Sequence, residues 1–314
     1  MSSHADSAPQ PATPDEPLFH ISFYKFVALP DPDAVAEVLR ELTAKLTGSI
    51  LVAEEGINGV LAGTAPHLAE AEHALAHDPR LGGAFTDVVY KRSACKTRPF
   101  WKVRIHRKRE IVAFGIEGIT GITDNREAAN HVSPEQWRDL IEREDVVVLD
   151  NRNSFEYRLG RFKNAVDPKV NNFRDFPQYV QDHAEQWKAE GKKVAMYCTG
   201  GIRCEKMSGW MQDKGLDVYQ LEGGVLNYFL TMPDADKDWQ GECFVFDSRV
   251  AIDTHMQETD TTIDQAPHGR RGQPQRLGLA GGLMAPVAGL PGPQAAIRIP
   301  VGMGSTHGHG RRAR

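Results

Sequence analysis

The first third of the chain alternates between the hydrophobic spacing of strands and that of helices. Four stretches in which apolar residues run together or alternate with polar ones predict strands, at 19–26, 49–53, 60–62 and 85–90. Two stretches in which apolar residues recur every three or four positions predict helices, over 31–46 and 66–76. The resulting order, β-α-β-β-α-β, is that of ferredoxin-like (acylphosphatase-like) α+β folds. Because such folds host many activities, the order assigns no function by itself.

The second half of the chain has the pattern of an α/β domain. A serine-proline-x-glutamine signal at 133–136 predicts a helix start. Apolar runs at 146–149 and 194–197 predict buried strands, the first of them in a parallel sheet. A polar cluster, 150–153, follows the first run and a cysteine follows the second. Since α/β folds bind ligands beyond the carboxyl ends of their strands, these residues are candidates for a site.

These patterns predict two domains with connecting and terminal segments. We divide the chain into a tail, a ferredoxin-like domain, a linker, an α/β domain, an extension and a second tail, at 1–17, 18–116, 117–132, 133–235, 236–254 and 255–314. The two tails are polar or rich in glycine, proline and arginine and lack any amphipathic period, so we expect them to be disordered.

The composition of the chain excludes several classes of protein. The 314 residues carry a formal net charge of −5, so the chain as a whole is not a basic nucleic-acid coat. Its four cysteines are too few for a disulfide scaffold, and because none makes a C-x-x-C pair, a zinc site has no support in the sequence. We find no export signal and no apolar run long enough to span a bilayer. We therefore expect a cytoplasmic protein without a metal and without membrane contact.

The segment from Tyr197 to Lys206 is the most informative part of the chain. Cys198 follows an apolar run, a glycine-rich loop follows it, and helical spacing begins near Arg203. Backbone N–H groups of such a loop, together with a helix N-terminus, lower a thiol pKa and favour the nucleophilic thiolate. Cysteine phosphatases place five residues between the cysteine and the arginine, whereas this chain has four, which suits a single sulfur or another compact group.

This loop resembles the active-site loop of rhodanese domains, in which the first cysteine carries a persulfide. The resemblance implies that Cys198 is the nucleophile. It also implies a cradle formed by Thr199, Gly200, Gly201, Ile202 and Arg203. Rhodanese domains carry a similar Asp-x-Arg upstream, here Asp150 and Arg152, although Arg161 replaces a histidine of their pattern. The alternative for Asp150 and Arg152 is an ion pair that ties the strand end to a loop.

Cys204 lies six positions after Cys198, at the start of the predicted helix. We expect its thiol to face away from the cradle and to pack beneath the loop as a small apolar group. The alternative is that it resolves an oxidised or persulfidated Cys198 by forming a disulfide.

The segment 91–109 is strongly basic within an acidic protein. Cations neutralise phosphates and aromatic rings stack on unpaired bases, so the segment predicts RNA contact. The candidate tRNA-binding residues are Lys91, Arg92, Lys96, Arg98, Trp101, Lys102 and Arg104. The alternative is a solvated face beside a core tryptophan.

The combined pattern resembles the rhodanese-related tRNA uridine hydroxylase family. Four segments carry the resemblance, at 55–59, 91–101, 197–206 and 222–225, and it covers roughly residues 18–250. It implies an oxidoreductase that hydroxylates the wobble uridine in the anticodon region of tRNA at C5, with molecular oxygen as co-substrate. Many members end in a cysteine-rich segment, which this chain lacks. No cofactor site is evident, and the electron donor, the set of tRNAs and the oligomeric state are not specified by the sequence.

Two other functions are alternatives. One is a rhodanese-type sulfurtransferase that uses thiosulfate or a persulfide, although a small anionic donor needs no basic segment. The other is a non-catalytic RNA-binding module, against which the intact Cys198 loop argues. For the hydroxylase we hypothesise that a thiolate or persulfide at Cys198 adds to C6 of the uracil ring and makes C5 electron-rich.

Overall fold

The computed structural model describes residues 17–122, 131–263 and 297–298. Most of the two predicted tails and half of the predicted linker lie outside the described residues. Residues 255–263 are described, and they are packed rather than separate from the fold. Met256 and Thr261 are buried, and Glu258 accepts hydrogen bonds from the backbone of residues 96–97. Part of the segment predicted as the C-terminal tail is thus packed against the fold, through Met256, Glu258 and Thr261.

The described residues contain seven α-helices and sixteen strands. The helices are α1 (Pro32–Leu42), α2 (Ala65–His77), α3 (Pro134–Leu140), α4 (Ser154–Leu159), α5 (Phe176–Ala189), α6 (Ile202–Asp213) and α7 (Gly224–Thr231). The first eight strands are β1 (Leu18–Phe26), β2 (Thr47–Ala53), β3 (Gly56–Thr64), β4 (Lys91–Cys95), β5 (Val103–Arg107), β6 (His131–Val132), β7 (Val146–Asp150) and β8 (Gly160–Phe162). The others are β9 (Ala165–Val166), β10 (Lys193–Tyr197), β11 (Val218–Leu221), β12 (Trp239–Gly241), β13 (Cys243–Phe244), β14 (Ala251–Ile252), β15 (Thr262–Ile263) and β16 (Ile297–Arg298).

The first sheet confirms the predicted ferredoxin-like order. Its strands lie in the order β4-β1-β3-β2-β5, and β1 pairs antiparallel with both β3 and β4. Helices α1 and α2 pack on one face through an apolar stripe that includes Leu39, Leu68 and Leu75. The strand β5 extends this sheet by pairing parallel to β2, and it comes from the segment predicted only as basic.

One predicted strand of this domain is wrong. Residues 85–90 form turns and unpaired backbone, and the strand begins at Lys91 instead. Phe85 is nevertheless fully buried in the core, and Val88 and Tyr90 pack against it. The apolar pattern therefore predicted the burial of these side chains correctly. It did not predict the backbone pairing, because pairing depends on a neighbouring strand.

The second domain is a parallel sheet between two layers of helices. The strand order is β6-β11-β10-β7-β9, and every pair is parallel. Val194 and Met196 of β10 pack toward α5 and α6, whereas Ala195 and Tyr197 pack toward α3 and α7. Successive side chains of a strand point to opposite faces, so this continuous apolar run buries both faces of the sheet. The predicted capping box at Ser133 and Gln136 is present at the start of α3.

The two domains share a core, and the extension closes one side of it. Ile111, Val112 and Phe114 follow the first sheet and lie in the same apolar cluster as α5 and α6. The extension adds β12 antiparallel to β8 and forms its own hairpin from β13 and β14. Among the described residues, no helix is long and apolar enough to cross a membrane.

Candidate active site

Cys198 lies directly after β10, where the chain turns into α6. Gly201 adopts a φ of +100° at the N-cap of α6, and its backbone N–H donates to the Cys198 sulfur at 3.1 Å. The backbone at Arg203 and Cys204, in the first turn of α6, also favours the ionised form of this sulfur. The sequence folds this way because only glycine takes up such a φ without strain, and the turn directs the Gly201 amide and the start of α6 toward the sulfur.

This environment favours the thiolate. Burial alone would raise the pKa of Cys198. A hydrogen bond from the Cys204 thiol, the charge of Arg203 and the amide donors outweigh it and lower the pKa to about 6. Burial raises the pKa of Cys95 to about 11 and that of Cys243 to about 12. Among the four cysteines, Cys198 is therefore the one that is mainly ionised at neutral pH.

The thiol of Cys204 lies close enough to Cys198 for each to shift the pKa of the other, whereas we expected it to face away from the cradle. Cys204 is fully buried, and burial together with the neighbouring thiolate raises its pKa well above the usual value. It thus stays protonated and can donate to the Cys198 sulfur. The side-chain amide of Asn151 lies 3.6 Å from the Cys204 sulfur. Sequence reasoning missed this contact because a residue at the first turn of a helix faces either way, depending on the loop before it.

Arg203 supports the loop from beneath. Its guanidinium binds Glu156 through contacts of 3.0 and 3.1 Å and the carbonyl of Asn151 at 3.2 Å. Both Arg203 and Glu156 are buried. The hydroxyl of Thr199 lies 3.4 Å from the same carboxylate. The predicted cradle residues are thus together, with the arginine charge held near the sulfur by a fixed acidic partner.

The end of β11 and the start of α7 support the loop from a second side. The backbone N–H of Val225 donates to the carbonyl of Cys198 at 3.0 Å, and that of Leu226 donates to Thr199 at 3.1 Å. A Cβ added at Gly224 would lie 2.4 Å from the Cys198 carbonyl oxygen. The glycine at 224 is therefore explained by the close approach of two backbones.

Asp150 and Arg152 form a buried ion pair outside the cleft. Arg152 binds Asp150 at 2.6 and 2.8 Å and the carbonyl of Gly160 at 2.6 Å, and the hydroxyl of Tyr197 donates to Asp150 at 2.6 Å. Neither residue lines the cleft beside Cys198. This arrangement corresponds to the alternative interpretation, in which the pair ties the strand end to the following loop.

The cleft beside Cys198 is built from three parts of the chain and is open to solvent, and together with the adjoining open space it measures about 790 Å³. The loop provides one wall, strands β1, β3 and β4 provide the second, and the extension provides the third. Besides the loop, the polar lining residues are His20, Ser22, Tyr24, Asn58, Lys91, Ser93, Asp247 and Arg249. Most of these were not predicted, since they come from segments far apart in sequence. One signal was available, because Asp247-x-Arg249 repeats the spacing of Asp150-x-Arg152 and forms the same buried pair, at 2.7 and 2.9 Å.

His20 stands in this cleft as a neutral side chain. Burial, together with the charge of Arg249, lowers its pKa to about 3, although Asp247 opposes the shift. Its Nε2 lies 3.2 Å from Asp247. The ring also stacks against Phe100, with centroids 6.4 Å apart.

Lys91 lies in the cleft and not on the outer surface. It was predicted as part of a basic surface, but it is only 8% exposed and lines the cleft. Arg92 is half-buried and bound to Glu72 at 2.5 Å. The cause is the position of β4, which turns the start of the basic segment inward against β1.

The rest of the basic segment borders the cleft from outside. Lys96, Arg98 and Lys102 are exposed, Arg104 is half-buried, and Trp101 is 74% exposed. The loop that carries them is fixed to the extension, where the Ser248 hydroxyl donates to the carbonyl of Pro99 at 2.8 Å. Ser248 lies between Asp247 and Arg249, so the basic loop adjoins the wall of the cleft.

Two sequence segments that carried the family resemblance meet at the domain interface. Lys206 is fully buried and binds Glu55 at 2.8 and 2.9 Å and Glu110 at 2.6 Å. Beside it, the hydroxyl of Tyr24 donates to Glu205 at 2.7 Å. The residues after the loop therefore dock the first domain, which keeps the cleft between the domains in shape.

The described residues hold no group of three or more His, Cys, Asp or Glu side chains arranged to bind a metal ion.

Comparison with known proteins identifies both domains. Residues 19–111 match the model of the UPF0176 acylphosphatase-like domain, and residues 133–230 match that of the rhodanese-like domain. These matches confirm the predicted fold class of both domains. The chain is 40% identical over 258 residues to a protein of Deinococcus radiodurans named tRNA uridine(34) hydroxylase. That match covers 81% of this chain and 82% of the relative.

Two solved structures are similar to parts of the chain. A rhodanese-related protein from Thermoplasma volcanium shares 22% identity, and the match covers 33% of this chain and 93% of that one, with a TM-score of 0.25. An acylphosphatase from Coxiella burnetii shares 14% identity, and the match covers 29% of this chain and 93% of that one, with a TM-score of 0.20.

Proposed function

Because the chain belongs to the tRNA uridine(34) hydroxylase family, we propose that it hydroxylates the wobble uridine of tRNA at C5 and that Cys198 is its nucleophile. It is an oxidoreductase whose substrate is tRNA. The finer assignments, C5 as the oxidised atom and the anticodon region as the part bound, are parts of this proposal.

One observation carries the assignment of Cys198. Its thiol pKa is lowered to about 6, and it lines a cleft that both domains and the extension build. A rhodanese-like loop alone would serve a small sulfur donor. Here the cleft is bordered by exposed cations and an exposed tryptophan, which suit a nucleotide and its phosphates.

A covalent route follows from these residues. The Cys198 sulfur forms a bond to C6 of the uracil, and the C5–C6 electron pair moves onto the C4 carbonyl oxygen as an enolate. C5 is then nucleophilic and takes a hydroxyl group from a peroxide-level oxidant, which releases hydroxide. Loss of the C5 proton and departure of the Cys198 sulfur restore the ring. Molecular oxygen and an external two-electron donor together supply that oxidant.

The exposed basic loop provides the tRNA contacts in this proposal. Lys96, Arg98 and Lys102 lie beside the cleft and neutralise phosphates that flank the target nucleotide. Trp101 offers its ring face to an unpaired neighbouring base. Arg104 is half-buried on β5 and contributes charge rather than a free side chain.

The test compares Cys198→Ala and Cys198→Ser with Cys95→Ala as a matched cysteine control outside the cradle. Each variant is expressed in a strain that lacks the gene, and tRNA nucleosides are analysed by mass spectrometry. We expect 5-hydroxyuridine to be absent with both Cys198 variants and present with Cys95→Ala. Full hydroxylation by Cys198→Ala would show that the thiol is not the nucleophile.

The amide donor from Gly201 and the lowered pKa of Cys198 also favour a second activity, sulfurtransfer through a persulfide on Cys198. Thiocyanate formation from thiosulfate and cyanide by the purified protein measures it. Turnover by wild type that Cys198→Ala loses, with no hydroxylation defect in the cell, would favour this function over the hydroxylase.

A further inference from the structure

Lys91 is a buried cation without a carboxylate partner in the wall of the cleft. Within the described part of the chain its side chain forms no hydrogen bond and no ion pair, whereas Arg203 is held by Glu156 and Arg249 by Asp247. Taking an ammonium group out of water without a partner costs free energy. The Lys91 side chain is largely buried but lines the open cleft, so a ligand that displaces water from the cleft would become the partner of its ammonium group.

The side chain of Lys91 is directed toward the loop by its neighbours. Its Nζ lies 5.4 Å from the centroid of the Tyr24 ring. A Cβ added at Gly223 would lie 3.2 Å from the Lys91 Cε. A Cβ added at Gly201, whose amide donates to the Cys198 sulfur, would lie 2.9 Å from the Tyr24 hydroxyl. The ammonium and the thiolate thus face one space from adjoining walls.

The charges around Lys91 suit a donor to a developing anion. Burial lowers its pKa, and Cys198, Glu205 and Glu222 oppose that shift only in part. None of the three is bonded to it. Because the Lys91 ammonium has no ion pair to break, it can interact with negative charge that develops on the ligand without a rearrangement of the site.

We propose that Lys91 binds the C4 carbonyl oxygen of the target uracil and stabilises the enolate formed when the Cys198 sulfur adds to C6. This inference rests on the proposed function, because it assumes that covalent route. In the step concerned, the sulfur–C6 bond forms and the ring electron pair moves to the C4 oxygen, where the ammonium donates a hydrogen bond. No electron leaves the pair of reactants, so the step needs no oxidant.

The addition step can be measured without hydroxylation. In D₂O without oxygen, the enolate takes a deuteron at C5, then loses the original C5 proton and expels the Cys198 sulfur. The result is uridine deuterated at C5, which nuclease digestion and mass spectrometry locate at position 34. Wild type, Cys198→Ala, Lys91→Met and Lys45→Met are compared at saturating tRNA. Lys45 is an exposed lysine of the same domain, bound to Glu70 and outside the cleft.

We expect wild type and Lys45→Met to exchange at the same rate and Cys198→Ala to show no exchange. Lys91→Met should exchange about 100-fold more slowly, the usual loss when one donor to a developing oxyanion is removed. Its tRNA affinity should change little, since the buried amine contacts the base rather than exposed phosphates.

A rescue experiment separates catalysis from folding. Lys91→Ala leaves space for a small amine, so added ethylammonium should restore part of the exchange in that variant and none in Cys198→Ala. The melting temperature of each variant shows whether it is folded. Wild-type exchange by a folded Lys91→Met at saturating tRNA would overturn the role of Lys91, as would a defect confined to tRNA affinity. Absence of exchange in wild type would instead contradict the covalent route, and the role of Lys91 with it.

Discussion

At the residue scale, reactivity depends on the surroundings of one sulfur rather than on cysteine itself. Cys95 is more exposed than Cys198, yet burial beside Asp247 and Glu258 raises its pKa to about 11, although Arg249 opposes that shift. Cys198 is buried, but directed amides, a thiol donor and Arg203 more than offset the cost of burial. The direction of donors therefore decides which cysteine is the nucleophile.

This contrast gives a prediction for alkylation by iodoacetamide. Because only the thiolate reacts, the rate at Cys198 should rise with pH through a midpoint near 6 and exceed the rates at the other cysteines at pH 7. Cys204→Ala removes a donor to the thiolate and should raise the midpoint, whereas Cys204→Ser keeps a donor and should raise it less. Peptide mass spectrometry after timed labelling measures both. Equal labelling of all four cysteines in the folded protein would contradict the prediction.

Cys204 lies close to Cys198, and its two alternative roles, packing beneath the loop and forming a disulfide, make different predictions. A packing role predicts that Cys204→Ser lowers stability modestly and keeps activity. A resolving role predicts loss of turnover in a folded variant and a Cys198–Cys204 disulfide in oxidised wild type. Both interpretations are compatible with a Cys204 thiol that donates to Cys198.

At the scale of elements, the connection between β4 and β5 divides the basic segment by function. Its start lies in β4, where Lys91 and Ser93 face the cleft, and its middle forms an exposed loop fixed to the extension through Ser248. Only the exposed part is available to phosphates. The charge of a segment therefore does not show which of its residues can contact phosphates until the direction of each side chain is known.

The exposed loop should account for the salt dependence of tRNA binding. Replacing Lys96, Arg98 and Lys102 with alanine should lower the slope of log affinity against log salt by about 2, at roughly 0.7–0.9 for each lost phosphate contact. A control variant with alanine at Lys188, Lys192 and Lys214 also loses three positive charges, so its net charge equals that of the loop variant. These lysines lie at the opposite end of the parallel sheet, so its slope should equal that of wild type. Equal slopes in all three proteins would mean that the loop is only a solvated face.

At the scale of the whole molecule, the active site exists only because the two domains are docked. Lys206 joins two carboxylates of the first domain to the helix that begins at the loop. The Ile111–Phe114 segment extends one apolar core across both domains. A change at this interface should therefore affect stability and catalysis together.

Lys206→Met tests this connection. It leaves the buried carboxylate of Glu55 without its cation, and breaking such a pair costs about 3–5 kcal/mol. We expect a clearly lower urea midpoint and slower hydroxylation. Lys188→Met removes an exposed pair with Glu185 and should change stability by about 1 kcal/mol or less. If the two variants unfolded at the same urea concentration, Lys206 would not hold the domains together.

Local patterns were sufficient for much of the fold. The ferredoxin-like order, the parallel strands β7 and β10 and the capping box of α3 all follow from spacing and from residues within one element. The helix α5 was not predicted. Residues 85–90 were predicted as a strand because buried segments with and without backbone pairing have similar apolar patterns. The nucleophile was predicted because its environment is built almost wholly by the six residues that follow it.

The sequence by itself determined the two folds, the reactive loop and the family, because these depend on short-range geometry and on motifs. Only the tertiary structure decided which residues complete the cleft. His20, Lys91 and Asp247 come from a strand, a basic segment and a late extension, and their meeting depends on how sheets and domains pack. The same packing turned Lys91 inward and left Lys96 exposed, although the two are five positions apart in one charged run. Charges and motifs can be identified from the sequence alone, whereas the packing of the folded core determines where each side chain points and which distant residues it contacts.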